Sequence, residues 1–177
     1  MRIGPNIVRP LAHVIMGLIA KLFGAASNDE IPGASLGGAP AWSATPIEDA
    51  PAFFRALPAL LPSGTILYLE DICSSDGIAL ATRHRVEPLL KLALGTIWPR
   101  PNCFHISFDA TIAKELAEFT EHHATPELAV HIHAYHSGRV LLEWHDAFCA
   151  PLRMSASFPE SSVSHFCELL RCNYELE

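Results

Sequence analysis

The chain has 177 residues and a mass of 19.3 kDa, and half of its residues are apolar against 18% charged, which excludes a wholly disordered chain and suits one domain with an appendage. A net charge of -7 and a pI near 5.8, with no Lys/Arg run to offset them, disfavour binding to a nucleic-acid backbone. Ten histidines against twelve Lys plus Arg make that charge sensitive to pH near neutrality.

Leu11, Val14, Ile15, Leu18, Ile19, Leu22 and Phe23 recur at helical spacing, so residues 1–23 are read as an amphipathic helix or appendage. A docked or partner-binding helix ranks first. Arg2 and Arg9 before the apolar run and Ala25-Ala26-Ser27 after it imitate a secretory signal within residues 1–26, the exported alternative, but Lys21 interrupts the run. The run is short for a membrane span, which leaves surface contact through residues 11–23 as a lesser option. Residues 24–44 are rich in Gly, Ala, Ser and Pro and predict a linker, with a single domain over residues 45–177.

Thr45-Pro46-Ile47-Glu48 has a capping-box pattern and predicts a helix that buries Phe53, Phe54, Leu57 and Leu61, kinked or split at Pro51 and Pro58. Residues 65–70 predict a central strand, since both faces are apolar. Asp76 is read as capping a short helix through Arg83. Glu87-Pro88 predicts another that stops at Gly95, with a strand as the alternative over residues 89–94. Residues 98–102 predict a stiff turn into a half-buried strand at 103–108. Asp109 then caps a helix with Ile112, Leu116 and Phe119 inward and His122-His123 in its last turn.

Residues 128–146 predict a hairpin about His136-Ser137-Gly138. A three-residue loop with Gly138 left-handed places Val130, Ile132, Ala134, Val140, Leu142 and Trp144 on one face. A two-residue turn at Ser137-Gly138 would set histidines beside Trp144 and is disfavoured on that ground. A strand at 151–157, with Leu152, Met154 and Ala156 inward, and an amphipathic helix with Val163, Phe166, Cys167 and Leu170 inward complete the chain. The strands before and after the helix opened by Asp109 predict a βαβ crossover. The fold class expected is α+β: a two-layer sandwich whose mixed, mainly antiparallel sheet has four to five strands, with helices on one face.

The opposite face would display His105, His131, His133, Tyr135, Glu143, His145 and Arg153 to solvent. His131, His133, Glu143 and His145 form the candidate metal or ligand face, with His105, Tyr135 and Arg153 at its periphery. His131 and His133 alternate on one strand, so both can converge on a divalent transition metal such as Zn or Fe, with Glu143 or His145 from the neighbouring strand. His-x-His followed by Glu is similar, over this one hairpin, to the metal strand of cupins; the glycine pattern and later histidine spacing of that family are lacking. His131 opposite Glu143 is also read as an acid/base pair.

Other candidates have cheaper explanations. Cys103 and His105 offer a thiol and a base without an orienting third group. Ser74, Ser75 and Asp76 suit capping as well as anion binding, and adjacent His145 and Asp146 would point to opposite faces. Five cysteines, an odd count with no C-x-x-C pair, point to structural thiols in a reducing, cytoplasmic compartment, and Cys167 and Cys172, five apart, are not expected to face one another. No Walker A, G-x-G-x-x-G, G-x-S-x-G, H-E-x-x-H or EF-hand pattern occurs. The sequence therefore suggests a small acidic binding, interaction or neutralising protein with a basic partner, with a metal-dependent enzyme on the hairpin as the alternative and a pH-responsive binder as a third idea.

Overall fold

Every residue of strand β2, Ile66–Glu70, is buried in the computed structural model, which describes residues 33–177. That is the signature of a strand covered on both faces, as its sequence predicts. The expected helix over residues 11–23 lies outside the described residues. Around β2 a seven-stranded sheet assembles in the order β3-β2-β4-β5-β6-β1-β7, with β1 at Ala41–Thr45, β3 at Cys103–Ser107, β4 at His131–His136, β5 at Arg139–Trp144, β6 at Leu152–Ser155 and β7 at Asn173–Leu176. Every strand pair in it is antiparallel. The fold is thus α+β as expected, but with seven strands rather than four to five, and among the described strands of the sheet no pair is parallel.

Two strands account for most of the difference. β1 occupies the end of the stretch whose composition predicts a linker, and β7 follows a helix that reads as the last element. β1 pairs with both β6 and β7, so its ladder partners lie more than a hundred residues away in sequence. The expected crossover is also modified. β3 and β4 both run antiparallel to β2 and therefore parallel to each other, with β2 inserted between them.

Five helices contribute their apolar sides to one core against the sheet: α1 (Ala50–Leu60), α2 (Ser75–Arg83), α3 (Ala110–His122), α4 (Thr125–Leu128) and α5 (Glu160–Leu170). α1 packs against both α3 and α5. It starts later than the Thr45 capping box suggests, because Thr45 is already paired in β1 and the Asp49 side chain accepts from Ala52 N–H at 2.8 Å. Pro51 falls in the first turn, where no amide donor is needed, and the helix continues through Pro58 as one element. Phe53 is the aromatic hub: its ring lies 4.9 Å from Trp144, 5.1 Å from Phe54 and 5.6 Å from Phe148. α2 is capped by Ser74 rather than Asp76, the hydroxyl accepting from Gly77 N–H at 2.9 Å. Asp109 caps α3 as its sequence predicts.

The hairpin reaches the expected faces by an unexpected route. Ser137 and Gly138 both have positive φ, 49° and 75°, and His136 pairs with Arg139, so the loop has two residues rather than three. The register then shifts at Ala134/Tyr135, with Tyr135 opposite Val140 and Ala134 opposite Leu142. Leu141 is the extra residue of a β-bulge. The bulge reverses the parity of the strand, restoring Leu142 and Trp144 to the core and sending Val140 to the other face beside Ile66, Tyr68 and Tyr135.

Candidate functional site

The face opposite the helices is a buried polar layer. Instead of facing water, His131, His133, Glu143 and Glu70 are each under 8% exposed. The cover is the loop of residues 84–102, together with residues 33–37. A helix from Glu87 to Gly95 is therefore replaced by an irregular strap, held by bridges pairing Arg85 with Ile106 and Leu92 with Ala34. Its Val86, Leu90 and Leu92 pack down on Ile66, Tyr68 and Tyr135, and that burial favours the strap.

Glu70 anchors the strap. The Thr96 N–H donates to its Oε1 at 2.6 Å, the Gly95 N–H to its Oε2 at 3.2 Å, and the Tyr68 hydroxyl to the same Oε2 at 2.9 Å. A carboxylate with no exposed surface is tolerated because donors surround it. Gly95 is required for this approach, since a Cβ there would come within 2.6 Å of the His131 ring. His131 is fully engaged: Nδ1 accepts from the Asp146 N–H at 3.0 Å, so the ring proton lies on Nε2, 3.1 Å from Thr96 Oγ1.

Across the hairpin, His133 rather than His131 stands opposite Glu143. This two-residue displacement from the expected pairing follows from the tight turn and the bulge. The Glu143 carboxylate turns to other partners, accepting from Leu36 N–H at 2.7 Å through Oε2 and meeting His145 Nε2 at 2.8 Å through Oε1. The hydrogen bond from His145, reinforced by Leu36, holds Glu143 below the usual carboxylate range against the effect of burial. The same hydrogen bond raises His145 above the ordinary imidazole value. His145 is the accessible member of the set, its side chain 40% exposed. His133 Nε2 has no hydrogen-bond partner, and burial, with His145 nearby, depresses this imidazole to about 3.

The remaining residues flank this cluster. His105 Nδ1 lies 2.9 Å from the Tyr135 hydroxyl, which also accepts from Leu89 N–H, and burial lowers the imidazole. Cys103 Sγ lies 3.1 Å from the Tyr68 hydroxyl, and burial raises both groups, so the thiol is held protonated rather than activated. Arg153, although in register with Glu143, donates to Gly37 O at 3.1 Å. Ser74 is consumed by capping and by donation to Glu127 O.

Chemically, the layer offers one imidazole–carboxylate pair, half-exposed His145 on buried Glu143, set over a neutral imidazole. Spacing of two across the end of β5 is the signal that could have found that pair. Among the described residues no group of three or more His, Cys, Asp or Glu side chains is disposed to share a metal ion. Sequence reasoning also missed Glu70, whose amide donors come from the strap, and Tyr68, whose hydroxyl donates to Glu70 on the same strand.

The strap also exposes several large apolar side chains among its charged ones, Arg85, Glu87, Lys91 and Arg100. Ile97 is 92% exposed and Trp98 86%, with Leu89 and Leu94 also exposed on the same segment. No family model matches the chain, and no curated protein or solved structure matches it.

Proposed function

We propose that the chain is a small acidic binding protein that takes a protein partner on the outer side of the strap. The observation that carries this reading is the concentration of Leu89, Leu94, Ile97 and Trp98, all exposed, within ten residues. Large apolar side chains left in water cost solubility and no core needs them there. An exposed tryptophan flanked by aliphatics is the composition of an interface anchor. The polar layer supports the same reading, for Glu70 and His131 fix the strap from beneath and little ordering is left for a partner to impose. A partner with an apolar pocket and a basic rim fits both this patch and the net charge of -7.

The test is proximity crosslinking from a photoreactive residue at position 97, followed by affinity measurement with the recovered partner. Trp98→Ala is expected to weaken that complex by about 2 kcal/mol or more, near thirtyfold, while leaving the fold intact. Equal affinity of Trp98→Ala and wild type would overturn the reading. The alternative, a metal-dependent enzyme on the hairpin, is favoured only by the unpartnered Nε2 of His133 beside the half-exposed His145. It requires stoichiometric uptake of zinc or iron that is lost in His133→Ala plus His145→Ala; no uptake by the wild-type protein would remove it.

A further inference from the structure

Helix α5 ends in a reverse turn that brings two cysteines together. Arg171 is left-handed, with φ 55°. Its N–H donates to Glu168 O at 3.3 Å, and the N–H of Cys172 donates back to Cys167 O at 3.1 Å. These paired bonds define a Schellman cap. In that cap the residue that makes the outer bond and the one that receives it pack side chain to side chain. Here both of those residues are cysteines. Cys167 is 1% exposed in the main core, and Cys172 is half-buried against the same core. The expectation that their spacing of five keeps them apart holds for a continuous helix and fails at this cap.

We propose that Cys167 and Cys172 form a reversible disulfide that clips the end of α5 to the start of β7, with a low-molecular-weight disulfide such as glutathione disulfide as the oxidant. The two thiols are free in this structure. Their roles differ. Cys172 is the more accessible, and a hydrogen bond from Cys167 lowers its thiol, while the same bond and burial push Cys167 up. The Cys172 thiolate attacks one sulfur of glutathione disulfide, breaking its S–S bond and releasing one glutathione thiolate. Cys167 then gives its proton to solvent and attacks the Cys172 sulfur of the mixed disulfide, expelling the second glutathione. The cysteine pair loses two electrons and glutathione disulfide gains them.

The bond would fix the left-handed Arg171 and tie α5, which packs against α1, to the strand that pairs with β1. The test uses the full chain with Cys73, Cys103 and Cys149 replaced by serine, equilibrated in glutathione redox buffers and quenched by alkylation. The expected result is an intramolecular Cys167–Cys172 linkage in monomeric protein, reversed by dithiothreitol, with a melting temperature raised by about 5 °C. In the same background Cys167→Ser should trap glutathione on residue 172, whereas Cys172→Ser should leave residue 167 unmodified. Should the triple variant not fold, peptide mapping of the oxidised wild-type protein gives the same reading. Continued alkylation of both cysteines under fully oxidising conditions, or linkage of either to another chain or another cysteine, would overturn the proposal.

Discussion

His133 stands directly opposite Glu143 across the β4–β5 ladder, yet the carboxylate turns to His145 and leaves His133 Nε2 without a partner. Burial, with His145 nearby, keeps this imidazole neutral and depresses it to about 3. Its folded value is depressed, so its contribution is present above the unfolded value near 6.5 and is lost as pH falls from there toward 3. In that window the unfolded chain binds the extra proton. Stability should therefore fall by up to about 1.4 kcal/mol per pH unit from this residue alone. Urea titrations of wild type and His133→Phe across the window check it: the variant should show a shallower acid slope, and parallel slopes would refute the assignment.

His145 has the opposite sign. Its folded value is raised by the Glu143 hydrogen bond, so the contribution is full below the unfolded value and disappears as pH rises through the folded one. Proton titration of the imidazole resonances should place His145 above 6.5 and His133 far below it, and Glu143→Gln should bring His145 down toward or below 6.5. Because His145 is exposed at the edge of the covered layer, its charge would also alter the strap's electrostatic surroundings. A partner bound on the strap is expected to show different affinity at pH of about 5.5 and about 7.5.

Glu70 makes the strap part of the fold. Glu70→Ala removes the acceptor for two strap amides and for the Tyr68 hydroxyl, and should cost about 2–3 kcal/mol. The loss should be visible locally as well. Hydrogen exchange at Gly95 and Thr96 is expected to accelerate more than exchange in β2, and Gly95→Ala should produce the same pattern by pressing a Cβ into the His131 ring. Uniform acceleration across the sheet would instead assign Glu70 a global role.

The helical half of this protein is legible in its sequence because local rules suffice there. Asp109 caps α3, and Phe53, Leu57, Leu116, Val163 and Phe166 mark buried helix faces by their spacing alone. The sheet is less legible where partners are remote. Ala41–Thr45 carries no strong strand pattern and becomes a strand by pairing with residues 152–155 and 173–176. The candidate face was readable as a set of residues, since alternation places His131, His133, Glu143 and His145 together. Its burial was not. Whether a polar face is wet depends on what lies over it, and Leu89-Leu90-Lys91-Leu92 looks as much like a helix as like a strap whose inner side is Leu90 and Leu92.

The hairpin offers the sharpest check on how that face is made. Ser137 occupies a position with φ of 49°, where asparagine is better accommodated, so Ser137→Asn should stabilise the protein by about 0.5 kcal/mol. Leu141 bears the opposite burden. It is the residue that lets a two-residue turn coexist with Leu142 and Trp144 in the core and Glu143 on the polar side. Deleting it leaves an unbulged ladder in which either Trp144 faces the strap or the histidines face Phe53, and either outcome sacrifices a buried tryptophan or buries imidazoles among apolar side chains. The deletion is expected to abolish cooperative unfolding, whereas Leu141→Val, which keeps the extra residue, should cost no more than about 1.5 kcal/mol. Circular dichroism and thermal denaturation of the two variants separate the role of the bulge from that of the side chain. A folded deletion variant would show that the turn alone sets the register.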